Sequence, residues 1–201
     1  MVGEQGDGAQ GEGGGDPLTS VQNSRALQDK LLAAGITLRS DLDLLQAVWP
    51  ERPPLPSQPV YEHLPPYAAT PRADKLAAVR DAMRQHGASH HFISTLDDIA
   101  WLLNLRGGDV NYNPVFISHL LLNDRGGTLF VGEGKIDAGL MERLAADGIA
   151  VAGYEQAKPA LAALPAGSRL LLDPRRVTLG LREAIAANLA VIETINPSTL
   201  L

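Results

Sequence analysis

The chain has 201 residues, a net charge of −6 and no cysteine, which excludes disulfides, thiolate metal ligands and a cysteine nucleophile. No Lys/Arg-rich run offers a cationic groove for nucleic acid or for an anionic membrane, and no apolar run reaches the ~20 residues of a membrane span. Apolar residues make up 45% and aromatics only 4%, so the core has to be built from Leu, Ile, Val and Ala. With neither a basic flank nor an apolar signal at the N-terminus, a soluble cytoplasmic protein is the default reading.

Residues 1–17, MVGEQGDGAQGEGGGDP, are glycine-rich and acidic. Beyond Met1 and Val2 they carry nothing apolar to bury, so the composition predicts a mobile leader. A tag, a linker and a native leader all fit it. From Leu18 the pattern changes: Val21, Leu27, Leu31 and Leu32 share one helical face, and Gly35 is placed to end that helix. Ile36 and Leu38 predict a short extended piece, and residues 42–49 a short helix or turn. Residues 18–49 thus form a first, small unit.

Residues 49–71, WPERPPLPSQPVYEHLPPYAATP, contain eight prolines. Proline removes the backbone donor and fixes φ, so neither a helix nor a central strand runs through here. Residues 50–69 read as an extended connector between two units; the PPLP run also suits a proline-ligand reading.

The compact domain spans 70–201. Thr70 as cap, Pro71 in the first turn and Asp74 predict a helix start; Leu76, Val79 and Met83 make its buried stripe, and Gly87 its end. Strands are predicted at 91–94, 115–122, 128–131, 149–152, 169–172 and 190–195. Helices are predicted at 95–105, 136–146, 155–164 and 178–187. NDRGG at 123–127 reads as a hairpin turn, and the later helices as crossovers between strands. One hairpin plus several βα units gives an α/β fold: three layers, with a mixed sheet covered by helices.

His90, His91, Asp97, Asp98 and Asp109 are the atom types of a hard metal site. Yet consecutive strand residues face opposite ways and adjacent helical aspartates diverge. Thr95-x-x-Asp98 instead predicts a capping box, and acids in a first turn suit the helix dipole. No serine is recognisable in a strand-to-helix elbow beside a histidine, and His119 inside an apolar strand reads as a core or interface residue. Arg175 and Arg176 follow a strand and read as a solvated turn or an anion contact. No residue is assigned as catalytic or as a metal ligand. Trp101 and Asn104 share a helix face, Arg106 is placed to take terminal carbonyls or to pair with Asp109, and Asn113-Pro114 sets an extended entry. Together with Tyr112 they predict a docking surface.

At this point TLDDIAWLLNLRGGDVNYNPVF resembles the middle domain of three-domain Xaa-Pro aminopeptidases, the aminopeptidase P family. AVWPERPPLP resembles that family's connector, DKLAAVRDAM the helix opening the domain, and LLLDPRRVTLGLREAI with VIETINPSTLL its close. The resemblance implies a creatinase N-terminal-like fold with a roughly six-stranded mixed sheet. In the family a pita-bread catalytic domain follows, whose two metals, usually manganese, are held by two Asp, one His and two Glu. None of these is assigned here, so no cofactor is expected within this chain, and residues 18–49 resemble the end of the family's first domain. The resemblance implies a non-catalytic scaffold that packs on the catalytic domain of the same or another chain, restricts active-site access and supports assembly, including a homo-oligomer. Nucleic acid and membrane are not expected partners. Trp49, Trp101, Asn104, Arg106, Asp109, Tyr112 and Asn113 are the expected interface signature. A free-standing peptide- or protein-binding module is the alternative, favoured if Trp49, Trp101 and Tyr112 expose apolar surface.

Overall fold

The computed structural model describes residues 11–14, 18–39, 51 and 53–201. The rest of the 1–17 leader, the helix or turn at 42–49 and the interface candidate Trp49 lie outside the described residues. In chain order the elements are β1 (Gly11–Gly14), α1 (Val21–Ala33), β2 (Ile36–Arg39), β3 (Tyr61–Glu62), α2 (Arg72–Gln85), β4 (His90–Ile93) and α3 (Leu96–Leu103). There follow β5 (Leu105–Arg106), β6 (Ser118–Asn123), β7 (Gly127–Val131), α4 (Ala138–Ala146), β8 (Ile149–Gly153), α5 (Ala157–Ala162), β9 (Arg169–Leu172), α6 (Leu179–Arg182) and β10 (Ala190–Glu193).

Six strands form one mixed sheet in the order β10-β9-β4-β6-β7-β8. β10, β9 and β4 run parallel, β6 runs against both neighbours, and β7 and β8 run parallel again. Alternation along each strand sorts side chains to two covered faces. Ile93, Leu120, Leu122, Leu129, Ile149 and Leu171 pack with Leu76, Val79 and Met83 of α2, with α3, and with Leu140 and Leu144 of α4. On the other face Phe92, Phe130, Leu170 and Leu172 meet Ala157 and Leu161 of α5 and Val177 and Ile185 near α6. The expected three-layer α/β fold is thus present. Because both faces are buried, strands such as LLL at 170–172 read as continuous apolar runs.

Local chemistry explains the boundaries. The hairpin turns at Asn123, whose Oδ1 accepts from the Arg125 and Gly126 N–H groups at 2.9 and 2.8 Å. A Cβ on Gly127 would sit 2.9 Å from the Leu121 carbonyl oxygen, a backbone contact that favours glycine where the strands close. Gly87 lies at φ 65° and ends α2 as expected. The start of α2 differs: Pro71 is the cap residue and makes no side-chain bond, while the Thr70 carbonyl accepts from Asn104 Nδ2 at 2.9 Å. Thr70 is drawn out of the cap by that tertiary contact. The strand expected from Val115 begins at Ser118, because Val115 is held in a turn by bonds to Asn113 and Asp109. The helix expected over 178–187 is only Leu179–Arg182; beyond it Ala184, Ile185 and Leu189 make i→i−3 bonds, tighter turns than an α-helix sustains.

α1 ends at Gly35, φ 72°, but its expected apolar face is not covered: Val21 is buried while Leu27 and Leu32 lie exposed. Four residues of the segment read as a mobile leader, Gly11–Gly14, pair parallel with β2, a contact of backbone groups that glycine supports without a side chain. The proline-rich connector lies against the domain. Val60 donates to the Lys135 carbonyl at 2.8 Å, and β3 pairs with β5.

Candidate functional site

The signature stretch folds around the C-terminus of α3. Asn104 occupies the left-handed region (φ 53°, ψ 39°) and its N–H closes on Ala100 and Trp101 carbonyls; asparagine tolerates that conformation better than most residues. Lys75, one turn into α2, reaches across. Its Nζ donates to the Trp101 carbonyl at 2.8 Å and to Asn104 Oδ1 at 2.7 Å, and stands 4.3 Å from the centre of the Trp101 ring. Burial lowers the Lys75 pKa, and the Arg106 charge adds to that. Trp101 and Asn104 do share a face, and the buried lysine that holds them carries no signal in the local sequence.

Of the two partners open to Arg106, the structure shows the carbonyls: Nη1 donates to Ala100 and Leu105 at 2.9 and 2.8 Å. Asp109 pairs with Lys135 instead, and its Oδ2 also accepts from the Ile117 N–H at 2.7 Å. Lys135 Nζ further donates to the Pro56 carbonyl at 3.3 Å. One ion pair therefore ties the Gly-Gly turn, the start of β6 and the connector together. A second node is Arg72, which donates to the Leu103 carbonyl and Asp147, each at 2.7 Å, and to Glu62. Glu62 in turn takes Arg143 at 2.7 Å.

The capping box does not form. Thr95 makes no cap bond; Asn196 Nδ2 donates to both Thr95 Oγ1 and Asp98 Oδ2 at 2.9 Å. A buried amide satisfied by a carboxylate outweighs a local cap bond. Asp98 thus anchors the C-terminal turn, Pro197–Leu200. Asp97 Oδ1 accepts from Asn113 Nδ2 at 3.1 Å. Both acids still lie in the first turn of α3, where they suit its dipole.

His90 and His91 face opposite ways. His90 Nδ1 meets Ser89 Oγ at 2.9 Å. His91 Nδ1 lies 3.0 Å from the Leu171 carbonyl, so this nitrogen carries the proton, and Nε2 is left without a partner. Burial lowers the His91 pKa to about 4. Ser94, in the turn between β4 and α3, contacts His119 Nδ1 at 2.9 Å, a serine–histidine pair that sequence spacing did not reveal. Burial lowers the His119 pKa to about 4 as well, and its ring stacks on Tyr154 at 4.8 Å. The ring is thus neutral at neutral pH, and its contact with the Ser94 hydroxyl joins the turn after β4 to β6.

The remaining candidates separate by exposure. Asn104 and Asp109 are internal, Trp101 is partly packed, and Asn113 is half-buried. Tyr112 stands wholly in solvent at φ 63°, beside the exposed Val110. Arg175 pairs with Asp173 at 2.8 Å; burial would raise the Asp173 pKa, and the bonds from Arg175 hold it below the ordinary value.

Residues 51–201 match the creatinase/prolidase N-terminal domain family. The chain belongs to that family. This creatinase/prolidase N-terminal domain is 40% identical to the probable Xaa-Pro aminopeptidase P of Sordaria macrospora over 113 residues, 56% of this chain and 18% of that protein. It is 30% identical to Xaa-Pro aminopeptidase 2 of Rattus norvegicus over 168 residues, 79% of this chain and 25% of that protein. The chain therefore spans about a fifth to a quarter of the curated relatives it matches. Its fold superposes on X-prolyl aminopeptidase of Caenorhabditis elegans, described as a cytosolic enzyme with a di-nuclear active site, with TM-score 0.81 at 23% identity over 94% of this chain and 32% of that one. Among the described residues no three His, Asp or Glu side chains converge. His90, His91, Asp97, Asp98 and Asp109 are held apart by the partners above, and they do not fit a di-nuclear centre.

Proposed function

We propose that this domain is a non-catalytic accessory unit of a Xaa-Pro aminopeptidase-like metallopeptidase, packing against a catalytic domain of the same or another chain and limiting access to its active site. The observation that carries the reading is the division of labour within the signature stretch. Trp101, Asn104, Arg106 and Asp109 are taken up by internal bonds, while Tyr112 is turned fully outward in a backbone conformation that a tyrosine adopts only under strain. Strained backbone clusters at functional sites, and tyrosine is enriched among the residues that dominate interface energies. A two-metal centre held by the catalytic domain and not by this chain, the cytoplasmic location, and assembly into a homo-oligomer through the same packing belong to this proposal. The Caenorhabditis elegans neighbour is described as cytosolic and di-nuclear, which favours the first two.

The alternative, a free-standing binding module, would use the same outward tyrosine; Trp101 contributes little to it because Lys75 covers its ring. Calorimetric titration of the chain into a Xaa-Pro aminopeptidase catalytic domain lacking its own N-terminal domains tests the proposal. Saturable binding weakened by Tyr112→Ala is expected. Absence of binding at about 100 μM would overturn the packing role.

A further inference from the structure

From β4 the chain moves outward through β6 and β7 to β8, then returns to the opposite side of β4 as β9 and β10. The strand order therefore reverses between β4 and β9, and ligands of open α/β sheets settle outside the carboxyl ends of the strands at such a reversal. A cleft of about 440 Å³ lies there, between the turn after β4 and the loop after β9. Its rim is held by backbone bonds from the start of α1: Val21 to the Val177 carbonyl at 3.0 Å, Gln22 to Pro174 at 2.9 Å, and Leu179 to Thr19 at 2.8 Å. The cleft is a preformed feature of the fold.

Its walls carry one charge of each sign that has no ion-pair partner among the described residues. The Arg175 guanidinium is engaged by Asp173, but Arg176, which also lines the cleft, makes no side-chain hydrogen bond or ion pair among the described residues. Asp97 lines it too, and among the described residues the side-chain partner of its carboxylate is the neutral amide of Asn113. Leu18 and Val110, 49% and 40% exposed, line the same cleft. A simple anion would be attracted by Arg176 and repelled by Asp97, and a simple cation the reverse. A molecule carrying both charges and an apolar body satisfies all three features.

We propose that this cleft binds a small zwitterion with an aliphatic side chain. Arg176 takes its carboxylate, Asp97 its ammonium group, and Leu18 with Val110 its side chain. A free amino acid and a short peptide share this chemistry. The proposal rests on these side chains alone and stands or falls independently of any packing on a catalytic domain.

The test is titration of the isotope-labelled 201-residue chain, followed by amide NMR, with leucine, leucyl-leucine, leucinamide and 4-methylpentanoate. Leucine or the dipeptide should shift amides of residues 94–97 and 175–178 saturably, with a dissociation constant of about 1 mM. Leucinamide lacks the carboxylate and 4-methylpentanoate the ammonium, and each should bind about tenfold more weakly. Arg176→Ala and Asp97→Asn should each weaken leucine about tenfold, with Arg176→Lys intermediate. Tighter binding of the dipeptide names a peptide as the source; tighter binding of leucine names an amino acid. Equal binding of 4-methylpentanoate and leucine, undiminished binding by Arg176→Ala with its dispersed spectrum intact, or no shift up to about 50 mM would overturn the proposal.

Discussion

Lys135 and Asp109 form an ion pair whose side chains are 2% and 0% exposed, at the junction of the connector, the Gly-Gly turn and β6. Breaking one partner of a buried pair leaves an uncompensated charge, which destabilises by about 3–5 kcal/mol. Lys135→Met should therefore lower the urea midpoint sharply. Removing both charges with Lys135→Met and Asp109→Leu should recover most of that loss, since an apolar pair is often neutral or better. A double variant no more stable than the single one would show that the pair acts through geometry and not through charge.

Asn104 serves twice, as an acceptor for Lys75 and as a residue at φ 53°. Asn104→Ala loses both and should lower stability by about 2–4 kcal/mol. Asn104→Gly keeps the backbone conformation and should fall short of that loss by about 1 kcal/mol. Thermal or urea unfolding of the two variants separates the conformational part from the hydrogen-bond part.

His91 and His119 both have folded pKa values of about 4, depressed by burial from the ordinary 6.5. Between those values the unfolded chain binds protons that the folded chain does not. Their contribution is complete above about pH 6.5 and is lost as pH falls toward 4, by at most about 1.4 kcal/mol per pH unit for each histidine. His119→Phe, which keeps a ring beside Phe92 and Tyr154, should flatten the profile in that window and leave its shape above pH 7 unchanged.

Tyr112 at φ 63° is unsupported by burial. In Tyr112→Gly, relief of the left-handed strain of about 1–2 kcal/mol outweighs the added chain entropy of about 0.5–1 kcal/mol. The isolated chain should be as stable as before or slightly more so, while binding to a catalytic domain weakens. A clear loss of stability would mean that the ring is held by the fold and is not presented by it.

Local and periodic features were readable from the sequence, and non-local pairings were not. Strand β9 and the buried stripe Leu76, Val79 and Met83 follow from apolar runs and period alone. Gly35 and Gly87 end their helices because few other residues adopt that conformation. Trp101 and Asn104 meet as their spacing requires, but Lys75 and Lys135 look like ordinary surface lysines until the fold brings them to Asn104 and Asp109. The same holds for Thr95 and Asp98, where local spacing suggested a capping box. Asn196, about a hundred residues away, takes both. Leu27 and Leu32 show the opposite failure: helical period marks an apolar face without saying what covers it.

Release of the N-terminal residue from a Xaa-Pro peptide distinguishes a non-catalytic accessory domain from an enzyme. The 201-residue chain would be assayed with manganese present, alone and with a Xaa-Pro aminopeptidase catalytic domain lacking its N-terminal domains. No turnover above the metal-only blank is expected for the chain alone, and a changed Michaelis constant or rate for the catalytic domain when the chain is added. Turnover by the chain alone that a chelator abolishes would overturn the non-catalytic role.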